Sequence, residues 1–274
     1  MTSEPSVPGP QATLHGSDAS GEGAVVARGL RRSFGGVRAV DGIDLTVPAG
    51  SFFGLLGPNG AGKTTTLRML TALLRPDAGD VWIESIHVWT NPDAAKAIIG
   101  ALHEEPRLFD RLSGAELLEY HGLLRGLAPT EVRQRADDLL DVLDLRAAAS
   151  ELVVDYSHGM RKKIALAVAL LHNPKVLFLD EPFEAIDPVS ARTIRSVLQR
   201  YTSAGSTIVF SSHVLDVVER ICDHVAIVHH GRIVVAGPID EVRAGGSLED
   251  VFVEVVGARD ATGEELAWLG TSSD

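Results

Sequence analysis

Apolar positions in this chain fall in short blocks punctuated by glycine and polar clusters. Residues 1–23 hold Ser, Pro, Gly and acids with almost no large apolar side chain. Such a segment cannot bury enough surface to order itself, so a disordered leader is expected there. From Ala24 the pattern turns to β-type runs at 24–27, 37–47 and 51–56, with another at 81–88. A helix is expected from Thr64 to about Leu74. Residues 92–160 read as mostly helical. There Ser113-Gly-Ala-Glu116 forms a capping box ahead of Leu117, Leu118, Tyr120, Leu123 and Leu124, and a second amphipathic stretch covers 131–145. The runs 176–179 and 207–210 are wholly apolar and end in polar residues. That pattern suits parallel strands buried on both faces, with chemistry at their carboxyl ends. Residues 225–228 and 232–236 flank His230-Gly231 as a hairpin, and 247–256 read as a short final helix. The expectation is one α/β core with a helical insert, and no internal repeat.

The first apolar run with chemistry attached is Phe52-Phe53-Gly54-Leu55-Leu56. It leads directly into Gly57-Pro58-Asn59-Gly60-Ala61-Gly62-Lys63-Thr64. This fits G-x-x-x-x-G-K-[ST], a loop that wraps backbone N–H groups around a nucleotide's phosphates. Lys63 would reach the β- and γ-phosphates and the Thr64 hydroxyl would ligate Mg²⁺. The glycines allow a tight turn and close approach, and Thr64-Thr65-Thr66 places the phosphates at a helix N-terminus. Chance produces the pattern in a chain of this length on the order of one time in a hundred. The strand before it and the helix after it lower that further, so the loop implies binding of a nucleoside triphosphate.

Composition narrows the setting. The 274 residues suffice for one large α/β domain with a small extension. No apolar stretch approaches the roughly 20 residues of a membrane span, and no secretory signal pattern opens the sequence. Cys222 is the single cysteine, which excludes an intrachain disulfide or a cysteine zinc cluster. The net charge of −12 leans against a nucleic-acid partner, which favours a basic face. A cytoplasmic setting is expected.

Three further clusters gain meaning beside the phosphate loop. Asp180 and Glu181 follow 176–179 without a gap; Asp180 suits the water shell of Mg²⁺, and Glu181, free of the metal, suits proton abstraction from an attacking water. His213 follows the strand 207–210 at the same sheet edge, where an imidazole would bridge the γ-phosphate and the catalytic carboxylate. Tyr156-Ser157-His158-Gly159-Met160-Arg161-Lys162-Lys163 opens a helix with three cations in its first turn. They oppose the helix dipole, and an anion at that end would relieve the conflict.

Taken together, these segments resemble the ATP-binding cassette of ABC transporters over nearly all of residues 24–257. The match is most like the ATPase subunits that serve ABC-2-type exporters, from the signature Tyr156-Ser157-His158-Gly159-Met160-Arg161 and the ending Ser247-Leu-Glu-Asp-Val-Phe-Val-Glu-Val-Val-Gly257. The resemblance implies an α/β P-loop NTPase fold: a RecA-like parallel core sheet, an N-terminal antiparallel β subdomain and an inserted helical subdomain. It implies a cassette over 24–240, with the insert at about 92–160, and an extension over 241–274. It implies ATP and Mg²⁺ as ligands, Phe34 stacking on adenine, and residues Gly57 to Thr65 around the phosphates. Ser157 and Gly159 would contact the γ-phosphate of an opposite cassette, and Asp187 would connect the two sites. Glu104, standing where the family most often has Gln, can still ligate Mg²⁺ but cannot donate a hydrogen bond to water. His158 and Phe183 also depart from the family pattern. The implied partners are ABC-2-type transmembrane permease subunits and a second cassette, as a homodimer or heterodimer, at the cytoplasmic face of the membrane. The alternative is a soluble cassette ATPase acting on ribosomes or DNA.

Overall fold

The computed structural model describes residues 23–184 and 186–257. The expected leader therefore lies outside the described residues except for Gly23, as does the end of the expected extension. Two sheets organise the chain. The first is antiparallel, in the order β2-β1-β4-β5, from β1 (Val25–Phe34), β2 (Val37–Val47), β4 (Ala78–Ile83) and β5 (Ile86–His87). The second has the order β10-β9-β3-β8-β7-β6, from β3 (Phe52–Leu56), β6 (Ile99–Leu102), β7 (Val176–Asp180), β8 (Thr207–Ser212), β9 (His224–His229) and β10 (Arg232–Pro238). It is parallel except for the β9–β10 hairpin.

Helix α1 (Lys63–Leu70) follows β3, and α2 (Pro92–Ala97) precedes β6. The helices α3 (Gly114–Leu124), α4 (Pro129–Val142) and α5 (His158–Leu170) lie between β6 and β7, and α6 (Pro188–Ser203) and α7 (Leu215–Ile221) flank β8. The described residues end in α8 (Ile239–Arg243) and α9 (Leu248–Val256). Strand alternation sorts the core: Phe52 and Leu56 pack with α5 residues Ile164 and Leu166 on one face, while Phe53 and Leu55 pack with α1 and the antiparallel sheet on the other.

Several expectations are corrected here. The helical region expected over 92–160 contains a core strand, β6, whose Ile-Gly-Ala-Leu is too short to show a period and which pairs in parallel with β7. The stretch 81–88 is a hairpin, with Glu84 and Ser85 in the left-handed region between β4 and β5. Strand β1 continues to Phe34 because a register shift beside Gly29 (φ 59°) breaks the alternation without ending the pairing. Helix α1 stops at Leu70, just before Ala72 turns left-handed. No described helix is long and apolar enough to cross a membrane.

Candidate nucleotide site

The phosphate loop runs from the end of β3 into α1, and packing shapes it. A Cβ on Gly57 would strike the Val228 carbonyl, and one on Gly62 (φ 108°) would strike the Ala39 carbonyl. Gly60 (φ 79°) faces open space, so its glycine serves the backbone turn. No side chain caps α1, leaving its first-turn N–H groups directed at the loop. Lys63 is buried, with its Nζ 2.7 Å from the Gly57 carbonyl and 3.6 Å from Glu181 Oε1.

Strand pairing brings the second group of residues to this loop. β7 and β8 pair with Asp180 opposite Ser211, so both strands end at one edge. Thr64 Oγ1 donates to Asp180 Oδ1 at 3.2 Å and Ser211 Oγ donates to the same oxygen at 2.6 Å. The Glu181 N–H donates to Ser211 Oγ at 3.1 Å. His213 Nδ1 stands 3.0 Å from Glu181 Oε1. Glu181 is itself buried and left-handed, at φ 47°, a conformation that is uncommon for a residue with a Cβ.

Glu104 lies on the exposed loop after β6. Partial desolvation and the surrounding carboxylates Asp180, Glu184, Glu181 and Glu105 raise its carboxyl above the ordinary value. The Thr64 hydroxyl and the Asp180 carboxylate, 3.2 Å apart, are the hard oxygen donors Mg²⁺ prefers.

The other expected residues are spread more widely. Phe34 is half-exposed at the end of β1, with the Arg32 guanidinium 4.9 Å from its ring centroid. Arg32 is drawn in turn to Asp77 at 2.6 Å. Ser157 caps α5, accepting the Met160 N–H, and Gly159 lies in the first turn. Asp187 Oδ1 caps α6 by accepting from Val189 and Ser190, which holds its carboxyl below the usual range. Among the described residues no hydrogen bond or ion pair links Ser157 or Asp187 to residues 57–65. Phe183 packs edge-on against Phe210 at 6.1 Å, which accounts for its size: it covers the core beside β8. His158 is exposed.

Two participants are absent from the sequence reading. Ser211 carried no motif; only the register opposite Asp180 reveals it. Lys162 stood among three cations opposing a helix dipole, but the structure turns it inward. Its side chain is 2% exposed, and Nζ donates to the carbonyls of Glu181 at 2.8 Å and Glu184 at 2.7 Å. Arg161 pairs with Asp110 at 2.8 Å, so two of the three cations are matched by protein groups.

Comparison with known proteins agrees with this geometry. The family model described as ABC transporter matches residues 40–184. The daunorubicin/doxorubicin resistance ATP-binding protein DrrA of Streptomyces peucetius is 37% identical over 221 residues, covering 81% of this chain and 67% of that protein. The ABC transporter ATP-binding protein NatA of Bacillus subtilis (strain 168) is 36% identical over 216 residues, 78% of this chain and 88% of that one. A solved structure described as the ATP binding subunit of an ABC transporter superposes with a TM-score of 0.80 at 27% identity, over 85% of this chain and 99% of that one. A nucleotide-free ATP-binding cassette, at 24% identity and a TM-score of 0.74, shares the fold. With a phosphate loop, a strand-end acid pair and a histidine at one sheet edge, this chain belongs to the ABC transporter family, as an ATP-binding and ATP-hydrolysing subunit.

Proposed function

We propose that this chain powers export through separate ABC-2-type permease subunits, docked as a peripheral subunit on the cytoplasmic face of the cell membrane. The observation that carries the reading is the meeting of Lys63, Thr64, Asp180, Glu181 and His213 at the carboxyl edge of one parallel sheet. The naming of relatives for daunorubicin, doxorubicin and linearmycin resistance supports the export direction.

In this reading the N–H groups of residues 57–65 and the Lys63 ammonium hold the triphosphate, and Phe34 offers a flat face to the adenine. Bound Mg²⁺ would neutralise phosphate charge, with Thr64 and Asp180 as its protein ligands and Glu104 beside them. Glu181 takes the proton of the attacking water, and His213, in contact with its carboxylate, orients it. Lys63 is already 3.6 Å from that carboxylate, so an incoming γ-phosphate has a cation to draw on and a base beside it. Ser157, Gly159 and Asp187 are left to a second cassette, homodimeric or heterodimeric, that closes over two ATP molecules.

The test is recovery from the native host. A tagged chain, solubilised in mild detergent, is expected to bring down a multi-span integral membrane protein in stoichiometric amount. Recovery only from the soluble fraction with ribosomal proteins or nucleic acid attached would contradict the transporter reading.

A further inference from the structure

Helix α5 carries two things at once: Ser157 at its N-cap, exposed, and Lys162 just over one turn on, buried. The Lys162 ammonium reaches across to the loop after β7 and holds it at two points, the carbonyls of Glu181 and Glu184. Glu181 needs holding. Its backbone is left-handed, a conformation that persists in a non-glycine residue only when its surroundings fix it. The Ser211 hydroxyl fixes the N–H of Glu181, and Lys162 fixes the carbonyl, so both ends of the residue are tied. Burial pushes the Lys162 ammonium down, opposed by the carboxylates of Glu184, Glu181, Glu104 and Asp180, and its two charge-assisted bonds to carbonyls are the direct partners that a buried cation needs.

We propose that Lys162 is a positioning residue for ATP hydrolysis. From α5 it fixes the backbone of Glu181, tying the placement of that carboxylate to the helix that begins at Ser157. The inference rests on the reading of Glu181 as the base. Lys162 does not touch the nucleotide in this reading, and acts only through the residue it holds. Because its anchor is α5 and its target is the loop after β7, any displacement of α5 changes where Glu181 stands. Engagement of Ser157 by a second cassette then bears on hydrolysis at this chain's own site through one rigid helix.

The test is a double-mutant cycle on the full-length chain, with steady-state and single-turnover ATP hydrolysis measured for wild type, Lys162→Met, Lys162→Arg, Glu181→Gln and the Lys162→Met/Glu181→Gln pair. Lys162→Met is expected to lower kcat about tenfold or more while KM stays within about twofold, and Lys162→Arg, which keeps the charge and donors, to recover most of the loss. On top of Glu181→Gln, Lys162→Met should reduce the residual rate by less than about twofold, since a residue acting through Glu181 has nothing left to position. Loss appearing in KM, or a full additional loss in the pair, would overturn the proposal in favour of a general structural role. Should Lys162→Met not fold, Lys162→Gln, which keeps a donor without the charge, enters the same cycle with the same two outcomes. Wild-type turnover by Glu181→Gln alone would remove the base itself, and is read separately from the cycle.

Discussion

The Ser211 hydroxyl donates to Asp180 Oδ1 at 2.6 Å while accepting the N–H of Glu181 at 3.1 Å, so one side chain on β8 orients both acids at the end of β7. Ser211 is fully buried. Ser211→Ala should leave the Glu181 N–H without a partner and cost about 1–3 kcal/mol of stability. ATP turnover should fall as well, because Asp180 and Glu181 lose their shared reference point. Urea unfolding and steady-state hydrolysis of the variant, compared with wild type, check both.

Phe34 should act on ATP affinity and not on chemistry. Among the described residues, its exposed ring stacks only on the Arg32 guanidinium. Phe34→Ala is expected to raise the KM for ATP by about 2- to 10-fold, the equivalent of a single stacked contact, with kcat little changed. Phe34→Tyr should retain wild-type KM. An unaltered KM in the alanine variant would place the base elsewhere.

Gly100 tests the strand that interrupts the helical region. A Cβ there would strike the Ala169 carbonyl on α5 and stand 2.8 Å from both Pro174 and Leu177. Backbone cannot yield as a flexible side chain does, so Gly100→Ala should destabilise by about 1–3 kcal/mol, read as a lowered Tm. If residue 100 lay on an exposed helix, the same change would instead stabilise the protein.

Acid should weaken the fold through His172. Burial, with Arg125 and Arg135 nearby, pushes its imidazole down to about 4, and its Nε2 stands 3.0 Å from the Ile99 carbonyl. In the unfolded chain the group titrates near 6.5, so between those values the unfolded state binds more protons and stability rises with pH. The native state keeps its full advantage above about pH 6.5 and loses it as pH falls towards 4. Allowing for the partial exposure of the ring, the loss from pH 7 to pH 5 is about 1 kcal/mol. His172→Gln should reduce that pH dependence in urea unfolding measured at the two values. An identical dependence in both proteins would assign it to other groups.

What the sequence disclosed depended on how local each feature is. The phosphate loop is legible because its glycines, Lys63 and Thr64 act within eight consecutive residues and through backbone they share. Asp180 and His213 are legible as polar residues ending apolar runs. The pairing of Asp180 with Ser211 is not, because register between β7 and β8 is a tertiary fact. Lys162 was hidden for a related reason: its partners are carbonyls about twenty residues away, which leave no mark in side-chain identity. β6 is masked by its length and by Gly100, whose missing side chain serves the packing of α5 and weakens the apolar pattern. The β1 alternation is broken at Gly29, so only its first residues read as a strand.

Light scattering on the Glu181→Gln chain with Mg²⁺-ATP, against the same chain with ADP, bears on both the base and the two-cassette site. With ATP bound and hydrolysis blocked, the chain is expected at twice its monomer mass with two nucleotides per dimer, and Lys63→Ala in the same background should return it to monomer. A Glu181→Gln chain that remains monomeric with ATP and still turns it over at the wild-type rate would contradict the account.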